Sequence, residues 1–128
     1  MTKRVLLAED EPNIVESLRF LLERSGYDVS VESNGRQALD AALASPPDVL
    51  VLDVMLPELD GYEVLRRLRG EQQTKSLPVL MLTAKGQRED RETAIEYGAD
   101  LFLTKPFANA DLTAAVNKLA GGDAAQGA

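Results

Sequence analysis

Two rhythms of apolar residues alternate along the chain. Short unbroken aliphatic runs are separated by stretches in which leucine, isoleucine, valine and alanine recur at helical spacing. The runs predict strands over Arg4–Glu9, Asp28–Ser33, Asp48–Asp53, Leu77–Thr83 and Asp100–Leu103. The second is the most polar, which predicts an edge position. A helix is expected over Pro12–Ser25, with Ile14, Leu18, Leu21 and Leu22 inward, Pro12 in its first turn and Gly26 at its C-terminal cap. Asn34-Gly35 opens a second, carrying Ala38, Leu39, Ala42 and Leu43 and ended by Pro46-Pro47. Asp60 caps a third, with Val64, Leu65 and Leu68 inward, that finishes near Gly70. A less apolar helix over about Arg88–Tyr97 stops at Gly98. Asn109 caps a last one, with Leu112, Ala115, Val116 and Leu119 on one face.

Strands that are apolar along their whole length need cover on both faces. Five β-α units with right-handed crossovers therefore predict an α/β fold, a doubly wound open parallel sheet. One domain is expected over residues 1–120. The tail 121–128, "GGDAAQGA", has no apolar periodicity and is expected to be flexible.

Composition narrows the chemistry more than the fold. The chain has 128 residues, 45% of them hydrophobic, enough for one domain with a core. It contains neither cysteine nor histidine, so disulfides, thiolate metal sites and the commonest general base are excluded. Fourteen basic against 21 acidic residues give a net charge of −7, which disfavours a nucleic-acid surface. Arg66, Arg67 and Arg69 fall together and read as a solvated helix face. The start "MTKRVLLAEDE" is too short in apolar residues for a signal peptide, and no stretch approaches a membrane span. A soluble, cytoplasmic protein is the expectation.

The polar residues that end the strands carry the functional signal. In a parallel sheet all strand C-termini lie along one edge, where ligands bind. The first strand ends in Glu9-Asp10, the third in Asp53 and the fourth in Thr83, and the fifth is followed by Lys105-Pro106. Solvent begins at strand ends, so one or two polar residues there need no explanation; three acids, a hydroxyl and a lysine do. An acid closing the run "VLVLD" must find a partner, a metal or a shifted pKa. Two carboxylates ~4 Å apart repel by about 1 kcal/mol in water and about 4 kcal/mol at an intermediate dielectric. A hard divalent cation relieves that repulsion, and a few oxygen ligands suit Mg²⁺. A carboxylate beside Mg²⁺, a lysine and a hydroxyl have the parts needed to accept a phosphoryl group.

These segments closely resemble the receiver domain of two-component response regulators, from about Lys3 to Leu119. The marks are the acidic pair in "LLAEDEP", the acid in "VLVLDVMLPELDG", the hydroxyl in "VLMLTAK" and the lysine in "GADLFLTKPF". The resemblance implies a flavodoxin-like (βα)5 sheet in the order 2-1-3-4-5, with two helices on one face and three on the other. It implies that Asp53 takes a phosphoryl group from a histidine kinase or histidine phosphotransferase in a phosphorelay. Asp10, Asp53 and the main-chain carbonyl of Met55 would bind Mg²⁺ directly, and Glu9 through a water. Lys105 would pair with phosphoryl oxygens. Thr83 would move toward them, and Phe102 would turn inward as the aromatic switch, by packing alone, since it lacks the hydroxyl of the tyrosine common there. Ala84 would leave access open, and the Lys105–Pro106 bond would be cis. The domain would catalyse only its own phosphorylation and dephosphorylation and would not otherwise be an enzyme. The donor would dock over helix one, near Ile14, and over the loop after strand five. Output would go through helix 4, strand 5 and helix 5 to a protein target, with a phosphorylation-dependent homodimer as one form. No direct contact with nucleic acid or membrane is implied. Pro57 and Gly61 read as turn residues that place the loop after strand three.

Other readings fit less well. A Mg²⁺-dependent phosphatase of the haloacid dehalogenase type needs a second acid where Met55 stands. A flavodoxin needs Ser and Thr where this chain has "AEDEPN". A degenerate receiver acting as a phosphorylation-independent interaction module would not need the five site residues together. No output domain is read after Leu119, so the expectation is either a stand-alone receiver or the front of a longer protein; the last helix lacks the arginines frequent in the transcription-factor branch, which tilts the expectation toward a stand-alone receiver.

Overall fold

A computed structural model describes residues 2–83 and 88–121, with the backbone alone for 88–91. Five strands and five helices alternate: β1 (Arg4–Ala8), α1 (Pro12–Arg24), β2 (Asp28–Glu32), α2 (Gly35–Ala44), β3 (Val49–Asp53), α3 (Gly61–Arg69), β4 (Val79–Thr83), α4 (Arg88–Glu96), β5 (Leu101–Thr104) and α5 (Asn109–Leu119). The strands are parallel, in the order β2-β1-β3-β4-β5. That is the order the family resemblance implies, and the polar β2 lies at an edge. Ala84 and the tail beyond Gly121 lie outside the described residues.

Alternation of side chains along the strands divides the core into two layers. Leu6, Leu50, Leu52 and Met81 face α2, α3 and Ala94 of α4, the one buried residue among that helix's described side chains. Val5, Leu7, Val51 and Leu82 face α1 and α5. The two inner strands β3 and β4 are the most enclosed: every residue of both is buried, and the four apolar residues of each completely. Each such side chain contributes about 1.5–3 kcal/mol of hydrophobic free energy.

Element boundaries shift by a residue or two from the sequence expectation, for local reasons. Proline has no amide to give a ladder, so β4 starts after Pro78, whose carbonyl accepts from Leu50 N at 2.9 Å. Asn34 and Asp60 cap α2 and α3, accepting from Gln37 N at 2.8 Å and Glu63 N at 3.0 Å. Gly26 follows α1 with φ of 98°, a conformation that favours glycine. Asn109, expected as the cap of α5, is instead its first helical residue. The chain leaves the extended region at Ala108, whose carbonyl takes the first-turn amides of Asp111 and Leu112, and no side chain caps this end. The arginine trio also divides. Arg66 and Arg67 pair with Glu63 on the solvent side of α3. Arg69 turns the other way, and its guanidinium donates to the carbonyls of Leu77 at 2.8 Å and Gly98 at 2.8 and 3.1 Å. It is a clamp between loops rather than part of a solvated face.

Candidate functional site

Parallel strands bring Glu9, Asp10, Asp53, Thr83 and Lys105 to one edge of the sheet. β1 and β3 are neighbours in register, Ala8 opposite Leu52, so the residues after them converge. One carboxylate oxygen from each of Glu9, Asp10 and Asp53 lies within 4.8 Å of the others. Glu9 and Asp53 are buried and Asp10 is exposed, so the cluster opens to solvent on one side.

The acid at the end of β3 has a partner. Lys105 Nζ donates to Asp53 Oδ2 and to Glu9 Oε1, both at 3.1 Å. Asp53 Oδ1 accepts from Met55 N at 3.2 Å, and Glu9 Oε2 accepts from Glu11 N at 3.1 Å. Burial pushes the Glu9 carboxyl above its ordinary value and the Asp53 charge adds to that; the Glu11 amide and Lys105 oppose them. Burial works to lower the Lys105 ammonium, but its bonds to Asp53 and Glu9, and their charges, raise it on balance. The acids thus share one cation while a third acid faces outward. A donor set made only of oxygens, and converging this closely, fits a small hard divalent ion.

Local backbone holds the loop after β3 in place. Val54 N donates to Leu82 O at 3.0 Å and Gly61 N to Val54 O at 2.9 Å, fastening the loop to β4 and α3. The left-handed residue of this turn is Glu58, with φ of 72°, rather than either residue read from the sequence as a turn former. Gly61 is needed for close approach: a Cβ there would lie 2.3 Å from Asp53 O. Met55 is exposed at the rim.

The remaining candidates stand farther along the edge. Thr83 is buried, and its hydroxyl is 3.4 Å from Leu103 O and 3.5 Å from Thr104 Oγ1, both on β5. Lys105 N donates to Thr83 O at 2.7 Å, which ties the lysine's backbone to β4. Phe102 is half-buried against the layer that holds α2, α3 and α4. The Lys105–Pro106 bond is cis. Ile14 is half-buried: it packs on the layer of α1 and α5 and also lines a groove with Asn13, Ser17, Pro106 and Phe107. Thr104 is not among the sequence candidates, because the expected fifth strand ends at Leu103, one residue short of the observed one. A hydroxyl directly before Lys105, in register with Thr83, was the available signal.

Residues 5–117 match the family of the response regulator receiver domain. The chain is 48% identical over 119 residues to the alkaline phosphatase synthesis transcriptional regulatory protein PhoP of Bacillus subtilis, covering 93% of this chain and 49% of that protein. It is 41% identical over 116 residues to the DNA-binding dual master transcriptional regulator RpaA of Synechocystis, covering 91% and 48%. The chain therefore spans about half the length of the curated relatives it matches. Both are transcriptional regulators, so they do not support the inclination toward a stand-alone receiver or against nucleic acid. Among solved structures, the receiver domain of the sensor histidine kinase PA1611 of Pseudomonas aeruginosa superposes with a TM-score of 0.88 at 31% identity, covering 94% of this chain and 99% of that one; it has magnesium coordinated in its active-site cleft. The chemotaxis response regulator CheY4 of Vibrio cholerae gives 0.87 at 30% identity, over 93% and 99%. Among the described residues, no helix is long and apolar enough to cross a membrane.

Proposed function

The chain belongs to the response regulator receiver family, and from that premise we propose that Asp53 is its phosphoacceptor. The observation that carries this is the placement of Asp53: buried at the end of the central strand, one oxygen on Lys105, beside Glu9 and Asp10. One Asp53 oxygen attacks the phosphorus of a phosphohistidine on a kinase or phosphotransferase. The P–N bond breaks, and the leaving imidazole takes a proton from solvent. Mg²⁺ held by Asp10, Asp53 and the Met55 carbonyl, with Glu9 acting through water, would neutralise charge on the phosphoryl oxygens. Lys105 needs little movement to follow the charge onto the phosphoryl group. Thr83 exchanges a long bond to a β5 carbonyl for a shorter, charge-assisted one. Its departure changes what β5 packs against, and Phe102 turns in response. The surface of α4, β5 and α5 then carries the signal to a protein target or a second copy of the chain.

The test is mass spectrometry after incubation with acetyl phosphate and Mg²⁺. Wild type is expected to gain one phosphoryl adduct that is absent without Mg²⁺. Asp53→Asn is expected to gain none while keeping its circular dichroism spectrum. An adduct that persists in Asp53→Asn would falsify the assignment.

A further inference from the structure

We propose that Thr104, the last residue of β5, is a positioning residue for Thr83. Its hydroxyl helps hold Thr83 on β5 in the resting domain and so sets how easily Thr83 is drawn toward a phosphoryl group on Asp53. The inference rests on the proposed function for its chemistry, though not for its geometry. Thr83 and Thr104 are paired in register across β4 and β5. Each stands two residues after a member of the layer shared with α2, α3 and α4: Met81 in one strand, Phe102 in the other. Side chains alternate along a strand, so both hydroxyls leave the same face of the sheet. Lys105 N donates to Thr83 O at 2.7 Å and keeps the two strand ends together. Thr83 is buried and Thr104 half-buried, so the pair meets at the margin of the core.

Two oxygens of β5 face the Thr83 hydroxyl, Leu103 O at 3.4 Å and Thr104 Oγ1 at 3.5 Å. Both distances lie at the long end for hydroxyl bonds, where each interaction is weak. A threonine hydroxyl carries one proton and two lone pairs. Thr104 can therefore donate to Thr83 while Thr83 donates to Leu103 O, and the two contacts do not compete. The Leu103 carbonyl would be there whatever the sequence. The Thr104 hydroxyl is the part of the hold that a side chain supplies, and a valine of the same shape would lack it. A phosphoryl oxygen offers Thr83 a charged acceptor, and such bonds are roughly twice as strong as neutral ones. The equilibrium moves only by the difference between the two sets of bonds. Thr104 acts on the resting side of that difference.

The experiment titrates the full chain, at saturating Mg²⁺, with the phosphoryl mimic beryllofluoride. It compares wild type with Thr104→Val, Thr104→Ala and Thr104→Ser. Removing the hydroxyl raises the fraction of molecules with Thr83 already off β5, and the apparent affinity follows that fraction. Thr104→Val and Thr104→Ala are each expected to bind about two- to fivefold more tightly, the span that one weak hydrogen bond covers. Thr104→Ser should match wild type. In a Thr83→Ala background, Thr104→Val should leave the Kd unchanged, because the contact it removes is already gone. Without Mg²⁺ or mimic, the Thr83 χ1 populations, read from NMR couplings, should shift in Thr104→Val and stay as in wild type in Thr104→Ser. A purely structural role would lower the melting temperature and leave the Kd and the Thr83 rotamers unchanged, and that result overturns the proposal. So does weaker binding by the hydroxyl-free variants, a Thr104→Ser protein that binds as tightly as Thr104→Val, or a tightening that persists in the Thr83→Ala background. Should one hydroxyl-free variant fail to fold, the other decides. A wild type that binds no beryllofluoride refutes the phosphoacceptor reading and leaves the rotamer comparison standing as the test of Thr104.

Discussion

β3 and β5 run parallel in one sheet and are held by different forces. β3 has neighbours on both sides and a helix layer on each face, and all five of its residues are buried. β5 is an edge strand, and all four of its residues are half-buried. Beside it, α4 buries only Ala94 among its described side chains and leaves Ile95 exposed. What the edge lacks in apolar burial it partly recovers in polar ties. Arg69 bonds to Gly98 and Leu77, and to Thr74 O at 3.2 Å; Asp100 takes Arg69 at 3.2 Å and Val79 N at 2.8 Å. The contrast places an acid that must not move at the rigid centre. It places the elements proposed to respond where packing is cheapest to rearrange.

The largest expected effect tests that contrast directly. Leu50→Ala removes a completely buried side chain from β3 and should cost about 2–5 kcal/mol. Leu103→Ala, on half-buried β5, should cost clearly less, since its site is partly open and leaves a smaller cavity. Urea denaturation of the two variants checks this. Equal losses would mean that the edge is as tightly packed as the centre.

Next in size is the polar clamp. Arg69→Ala should cost about 1.5–3 kcal/mol, the range for hydrogen bonds to a charged group. The loss should be local: amide exchange should speed up around Gly98 to Leu101 and stay slow in β3. Arg69→Lys should not restore protection, because one ammonium cannot span the carbonyls that a planar fork reaches together. Uniform loss of protection across the sheet would show that the clamp serves the whole core.

The same contrast explains how much could be read from the sequence. The centre was legible because its causes are local and repetitive. Val49 to Leu52 can only be a strand covered on both faces, and an acid directly after them marks the functional edge. The sequence order of Glu9-Asp10, Asp53, Thr83 and Lys105 became spatial order once parallel topology was assumed. The edge was less legible because its causes are long-range. Nothing in "RRLRG" says that the third arginine reaches Gly98 while the first two stay with Glu63. Gly35 read as a helix start because the atom it must avoid, Leu59 O, lies on another element. The cap of α5 moved to Ala108 because capping propensity ranks residues but does not fix where the chain turns.

The smallest expected effect concerns a tie that belongs to neither region. Glu63 sits in the first turn of α3 between Arg66 and Arg67, accepting from Arg66 Nε at 3.0 Å and Arg67 Nε at 2.7 Å. The bonds to Arg66 and then Arg67 lower its carboxyl from 4.5 to about 2. A lowered folded-state pKa means that the charged form is favoured in the native protein. The stabilisation is therefore fully present above 4.5, declines as pH falls, and is gone once pH passes below about 2. All three side chains meet solvent, so the effect should be small and should shrink further with added salt. Glu63→Gln should melt slightly below wild type at neutral pH, and the gap should close on acidification. High salt at neutral pH should close it as well. A gap that survives both acid and salt would mean that Glu63 contributes through packing or through the start of α3, and the charge pairing would carry none of it.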